Sequence, residues 1–102
     1  MTNQFTAEYT KEALEQYHEL DLENRAKVLE AINTFEKVGT CYKNLNSLGN
    51  GLFEIKPKGV RAYFKYVKNR IIIIGFIALK KTQKAPKRYI EQAVKNIENH
   101  LK

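Results

Sequence analysis

Between Gly51 and Arg88 the chain reads GLFEIKPKGVRAYFKYVKNRIIIIGFIALKKTQKAPKR, short apolar runs separated by basic turns. This stretch carries Lys56, Lys58, Arg61, Lys65, Lys68, Arg70, Lys80, Lys81, Lys84, Lys87 and Arg88 against one acid, Glu54. Eleven bases and one acid leave +10, residues 1–50 hold five bases and eight acids, and residues 89–102 hold two of each. The whole surplus of +7 therefore comes from this one stretch. Because apolar runs alternate with turns, the charge belongs to a folded sheet and not to a basic tail. Concentrated positive charge on a rigid surface points to a polyphosphate partner, most often nucleic acid.

The runs predict three strands: a short one over Leu52–Lys56, a longer one over Val60–Val67, and a nearly all-apolar one over Arg70–Leu79. The last reads as an interior strand covered on both faces. Pro57-Lys58-Gly59 and Lys68-Asn69 supply the turns, and such short connections make sequential strands antiparallel neighbours. Upstream, Phe5, Ala7 and Tyr9 alternate with Thr6 and Glu8 and predict a first strand. Thr10 is placed to cap a helix from about Lys11, with Ala13, Leu14, Tyr17 and Leu20 on one side.

A second helix begins at about Leu22 or Glu23, with Ala26, Leu29, Ile32, Phe35 and Val38 as its apolar stripe and Gly39 as its stop. Residues 41–50, rich in Asn, Ser and Gly, read as a loop. A closing helix starts at Pro86 and carries Ile90, Ala93, Val94, Ile97 and Leu101 on one face. The expected fold class is α+β, β-α-α-β-β-β-α in one domain over residues 1–102. Its sheet is small and mostly antiparallel, with an N-terminal helical hairpin and a C-terminal helix.

Strand period decides which side chains share a face. Phe53 and Ile55 point one way, and Glu54, Lys56 and Lys58 the other; Val60, Ala62 and Phe64 oppose Arg61, Tyr63 and Lys65. Pairing through the 57–59 turn brings Lys56, Arg61, Tyr63 and Lys65 onto one face, expected to be exposed. That face offers a bidentate phosphate binder, point charges and a ring on which a base can stack. KKTQKAPKR, residues 80–88, adds a second basic feature, with Lys87 and Arg88 in the first turn of the closing helix. Helix N-termini attract anions, and cations there reinforce phosphate capture although the dipole disfavours them. Each lysine taken singly is also what any solvated sheet surface displays. Tyrosines such as Tyr42, Tyr63, Tyr66 and Tyr89 are more often half-buried packing residues than catalysts.

Several chemistries find no support. His18 and His100 fall on separate helices without acid or cysteine partners at ligand spacing, so no metal is expected. Neither a phosphate-binding glycine loop nor a dinucleotide pattern occurs, and no cofactor is expected. Cys41, the one cysteine, excludes an internal disulfide and fits a reducing compartment. MTNQFTAEYT lacks the pattern of a signal peptide, and the apolar run over residues 71–79 falls short of the ~20 residues that span a membrane. A soluble, cytoplasmic protein is the expectation.

The order GLFEIKPKG, then VRAYFKY, then IIIIGFIALKKTQKAPKRYIEQA resembles the HigB-like, phage-derived branch of the RelE/ParE toxin superfamily. That branch shows a G-L-[WF]-E-[LI]-[RK] strand, an arginine-bearing hairpin partner, an apolar strand, and a K-K-T-Q-K-[TS]-P-[KR] turn into a closing helix. The resemblance covers about Gly51 to Ala93 and, more loosely, the helical hairpin. It implies a RelE-like fold and the toxin of a type II toxin–antitoxin pair, a ribosome-dependent mRNA endoribonuclease that inhibits translation. In that reaction a ribose 2′-OH attacks the adjacent phosphate.

By position, Arg61 matches the arginine that binds the scissile phosphate, and Lys56 the basic residue of the preceding strand. Tyr63 completes this face, and Tyr89 lies near a tyrosine that moves a proton. Lys58, Lys65, Lys80, Lys81, Lys84, Lys87 and Arg88 are the expected RNA-binding residues. The implied partners are mRNA, the ribosome and a cognate antitoxin, often a helix-turn-helix DNA binder. Two departures stand out: Ala85 replaces a threonine or serine, with loss of a cap of about 1 kcal/mol, and Tyr89 replaces a common glutamate. A gyrase inhibitor of the ParE type and a non-catalytic RNA-binding phage protein remain alternatives.

Overall fold

The computed structural model describes residues 5–43, 45–81 and 84–102, with Thr40 described by its backbone alone. The elements run β1 (Thr6–Tyr9), α1 (Lys11–Glu19), α2 (Leu22–Val38), a single 3-10 turn (Gly39–Cys41), β2 (Leu45–Gly49), β3 (Leu52–Ile55), β4 (Val60–Val67), β5 (Ile71–Leu79) and α3 (Lys87–His100). The α+β class, the helical hairpin, the basic hairpin strands and the closing helix are as expected. The sheet order is β1-β5-β4-β3-β2, with β1 parallel to β5 and every other pair antiparallel.

Local chemistry sets the ends of the hairpin helices. Thr10 Oγ1 accepts from Ala13 N at 3.0 Å, satisfying one orphan donor of α1, and Asp21 Oδ1 does the same for Asn24 N in α2. Gly39 ends α2 at φ 60°, a conformation that suits glycine. The stripe buried by α2 differs from the expected one. Val28, Ala31, Ile32 and Phe35 face the sheet, whereas Ala26 is exposed and Leu29 and Val38 are 45% and 41% exposed. Steps of three fall short of a 3.6-residue turn, so a long series of them winds around the helix; the 28/31/32/35 spacing stays on one face.

One sheet face lies under the hairpin. Ile55, Val60, Ala62, Phe64, Ile72, Ile74 and Ile77 pack there against Ala13, Val28, Ile32 and Phe35. Gln16 Oε1 accepts from Ile77 N at 2.8 Å, meeting a β5 donor beyond the end of the β1 pairing. The other face carries Leu52, Tyr63 and Ile73, and α3 covers it with Ala93 and Ile97. Gly75 is the extra residue of a bulge, since Tyr63 pairs with Phe76 and Phe64 with Ile74. A Cβ at Gly75 would stand 2.6 Å from Ile97 Cγ1 and 2.7 Å from Ala93 O. Asn96, buried in α3, donates from Nδ2 to Gly75 O at 2.8 Å and fixes the helix over the bulge.

The segment read as a loop over residues 41–50 contains a strand. β2 pairs with β3, with a register shift between Ser47 and Gly49, and its two leucines, three residues apart, face opposite ways. Leu45 packs with the hairpin core and Leu48 with the α3 core, so each face has a single apolar residue and no apolar/polar alternation marks the strand. Gly49, Asn50 and Gly51 turn the chain into β3 with φ of 91°, 53° and 80°. Pro86 also moves: it is the N-cap of α3, one residue before the helix. Ala85 therefore precedes the cap, and it is Pro86 that leaves α3 without a side-chain cap bond.

Candidate functional site

The strand pairing decides where the basic residues go. Tyr63 lies directly opposite Glu54, and Arg61 lies two residues along the same face of β4. The face is not the exposed one expected from the sequence. Because α3 packs over it, Arg61 is 2% exposed and Tyr63 fully buried, while Lys56 and Lys65 are half-buried. A patch of four exposed side chains is thereby replaced by a pocket at the edge of α3.

The pocket holds about 160 Å³ and is lined by Arg61 and Tyr63 of β4, Leu79 at the end of β5, Lys81, and Pro86, Arg88 and Tyr89 at the start of α3. Three of the four expected catalytic residues, Arg61, Tyr63 and Tyr89, thus meet in one place. Tyr63 stacks on Phe76 with ring centroids 6.0 Å apart and planes 10° from parallel, and Phe76 meets Tyr89 at 4.9 Å. The Arg88 guanidinium carbon sits 5.2 Å from the Tyr89 ring centroid, within cation–π range. The uncapped start of α3 opens on the same pocket, so backbone N–H groups add to its positive potential.

Burial raises the Tyr63 phenol above its ordinary value, and the Arg61 guanidinium beside it opposes that rise. The phenol is therefore neutral at physiological pH, a hydrogen-bond donor and not a base. The Arg61 guanidinium is the group nearest to acting as partner to Tyr63 Oη, although among the described residues no contact there meets strict hydrogen-bonding geometry. Arg61 is held from the other side: its Nη1 lies 3.5 Å from Glu54 Oε2, and Glu54 is 2% exposed. Asn46 Nδ2 donates to Glu54 Oε1 at 3.0 Å.

Lys56 does not reach this pocket. It lines an adjoining recess of about 280 Å³ with Asn46, Leu48, Glu54, Lys84, Ala85 and Ile90. Lys58 lies elsewhere again, in a groove on the α2 side with Lys27, Glu30, Thr34 and Tyr42. The expectation that Lys58 shares a face with Lys56 fails because the 57–59 turn, with Gly59 at φ 88°, ends the strand alternation before it. Lys80, Lys81, Lys84, Lys87 and Arg88 are all exposed, and of these Lys81 and Arg88 line the pocket and Lys84 the recess. Thr82 and Gln83 of the KKTQKAPKR turn lie outside the described residues. Sequence reasoning missed Glu54 and Asn46; the signal for Glu54 was available in its place as the one acid of the basic stretch, diagonal to Arg61. No group of three or more His, Cys, Asp or Glu side chains is placed to hold a metal among the described residues, and no described helix is long and apolar enough to cross a membrane.

Residues 15–98 match the family described as phage derived protein Gp49-like (DUF891). The chain belongs to this family. A chain of the toxin–antitoxin complex RelBE2 from Mycobacterium tuberculosis has a similar fold, with a TM-score of 0.65 at 17% identity over 78% of this chain and 94% of that one. The isolated E. coli RelE toxin is also similar, at a TM-score of 0.61 and 15% identity, over 91% of this chain and 98% of that one. No curated protein matches the sequence. The chain is thus a Gp49-like protein with a RelE-like fold.

Proposed function

We propose that this chain is the toxin of a type II toxin–antitoxin pair and acts in the cytoplasm as a ribosome-dependent mRNA endoribonuclease. The observation that carries this reading is the meeting of Arg61, Tyr63, Lys81, Arg88 and Tyr89, from β4, the segment after β5 and α3, in one pocket. In the proposed reaction a ribose 2′-hydroxyl loses its proton to solvent water and its oxygen bonds to the adjacent phosphorus as the bond to the 5′-oxygen breaks. The products are a 2′,3′-cyclic phosphate and a free 5′-OH.

Charge grows on the non-bridging oxygens during this step, and Arg61 with the α3 N-terminus is placed to stabilise it. Lys81 and Arg88 at the exposed side hold the RNA backbone, and Lys56 and Lys84 in the recess extend that track. Tyr89 is assigned the transfer of a proton to the leaving oxygen, and Tyr63 a hydrogen bond to the phosphate. The ribosome orients the ribose for in-line attack, which accounts for much of the acceleration that the pocket itself does not supply. The inhibitory partner is an antitoxin, expected to be a helix-turn-helix protein whose acidic segment or bulk closes the basic mouth of the pocket.

Inducible expression of the chain, beside Arg61→Ala and Tyr89→Phe, tests the reading when new mRNA 5′ ends are mapped with translation running and blocked. Translation-dependent cuts that both variants lose are the expected result. Growth arrest without cuts, accompanied by DNA breaks, would replace the nuclease by a gyrase inhibitor. Absence of both arrest and cuts would leave an RNA-binding accessory role.

A further inference from the structure

We infer that Glu54 is a positioning residue for this pocket: it aims the Arg61 guanidinium and offsets its charge, weakening anion binding while speeding turnover. The inference rests on the nuclease reading for its turnover half alone. Three adjacent strands supply the parts. Asn46 of β2 lies directly opposite Glu54 of β3, and Arg61 of β4 lies diagonally across from it. The two carboxylate oxygens are divided, Oε1 accepting from Asn46 at 3.0 Å and Oε2 from Arg61 at 3.5 Å. The carboxylate thus stands behind Arg61, on the wall between the pocket and the recess that Glu54 itself lines.

Stability alone does not account for this arrangement. A buried ion pair is at best a weak stabiliser, because desolvation offsets the attraction. Nor does charge alone account for it, since the one acid among eleven bases opposes the attraction of an anion. Placement does. No acid is among the described residues that line the pocket, so the carboxylate that meets the guanidinium comes from behind, from Glu54. A carboxylate that is itself tied to the neighbouring strand holds that guanidinium before charge develops on the substrate, so no reorganisation is needed in the transition state.

Glu54→Gln keeps the shape and the Asn46 bond and removes the charge. Two measurements on the purified protein read the two halves of the inference: pyrophosphate affinity by titration calorimetry, and cleavage on translating ribosomes at saturating toxin. The expected result is pyrophosphate binding tighter by about threefold or more, with turnover slower by about tenfold. Affinity that is unchanged or weaker in a folded variant overturns the inference, as does wild-type turnover. Lower turnover with unchanged affinity is what simple loss of structure gives, and it counts against the inference too. If the wild-type chain cuts no RNA, the nuclease reading falls, and the pyrophosphate comparison alone decides whether Glu54 governs the pocket. Should Glu54→Gln fail to fold, Asn46→Ala at its exposed position removes only the outer support. It is expected to slow turnover by about threefold, and wild-type turnover there overturns the inference.

Discussion

Arg61 of β4 reaches Glu54 of β3 diagonally beneath α3, Nη1 to Oε2 at 3.5 Å, with both side chains 2% exposed. Removing one member strands a buried charge, so Arg61→Ala is expected to lower stability by about 3 kcal/mol as well as abolish cleavage. The double variant Arg61→Met, Glu54→Leu is expected to recover most of that stability and none of the activity. Urea denaturation beside a cleavage assay separates the two effects; recovery of cleavage in the double variant would remove Arg61 from the chemistry.

Tyr63 and Tyr89 divide differently. Tyr63 Oη is buried with the Arg61 guanidinium beside it and no partner in strict hydrogen-bonding geometry among the described residues, so Tyr63→Phe is expected to change stability by no more than about 1 kcal/mol. Any loss of cleavage in that variant then reports on substrate alone. Tyr89→Phe is expected to fold and bind RNA normally while cleaving about 10²-fold more slowly. Single-turnover cleavage beside RNA binding checks both; wild-type rates for Tyr89→Phe would remove it from proton transfer.

Gly75 admits no side chain. Gly75→Ala drives a methyl group into Ile97 and the Ala93 carbonyl, for an expected loss of about 2–3 kcal/mol. Because α3 carries Pro86, Arg88 and Tyr89 into the pocket, lifting it disturbs the aromatic stack as well. Near-ultraviolet circular dichroism and a urea midpoint read the two consequences; a wild-type midpoint would mean that α3 shifts without loss.

Burial chiefly, with the nearby Tyr17 and Glu36, pushes the Tyr9 phenol up to about 12. A value raised in the folded state contributes stability that is complete below pH 10, the ordinary value, and is lost as pH climbs toward 12. Thermal midpoints of wild type and Tyr9→Phe are therefore expected to run parallel at neutral pH and to converge or cross between pH 10 and about 12. Parallel curves throughout that window would contradict the assignment.

Lys81 and Arg88 are exposed and line the pocket. Each single change to alanine is expected to weaken RNA binding similarly across sequences and to reduce the slope of log affinity against log salt by about 0.7, the value for one contact to a single strand. Titrations of one oligonucleotide at several salt concentrations measure it, and an unchanged slope would place that residue outside the RNA track.

The strand and helix frame was legible because β3, β4 and β5 carry strong period-two or all-apolar patterns bounded by turn residues, and α3 keeps a clean i, i+3, i+4, i+7 stripe. β2 was not, since Leu45 and Leu48, three apart, put one apolar side chain on each face and leave no alternation to read. The side of the sheet on which Arg61 and Tyr63 lie followed from alternation, but their burial did not. Alternation assigns faces within a sheet and is silent about which face a distant helix will cover. That cover depends on Gly75, whose missing side chain allows contact with Ala93 and Ile97, some twenty residues downstream. Lys56 and Lys58 likewise separated because a turn breaks the alternation between them.

β1 pairs in parallel with β5, joining Thr6 to Ile71, and α3 follows only after that. Non-local pairing of this kind is assembled late, because the intervening chain must be closed before the contact repays its entropy. A chain still being synthesised has neither the strand that completes its sheet nor the helix that supplies Arg88 and Tyr89. The pocket therefore comes into being only once α3 has been made and has docked on the sheet, and the strands alone hold only Arg61, Tyr63 and Leu79 of its lining.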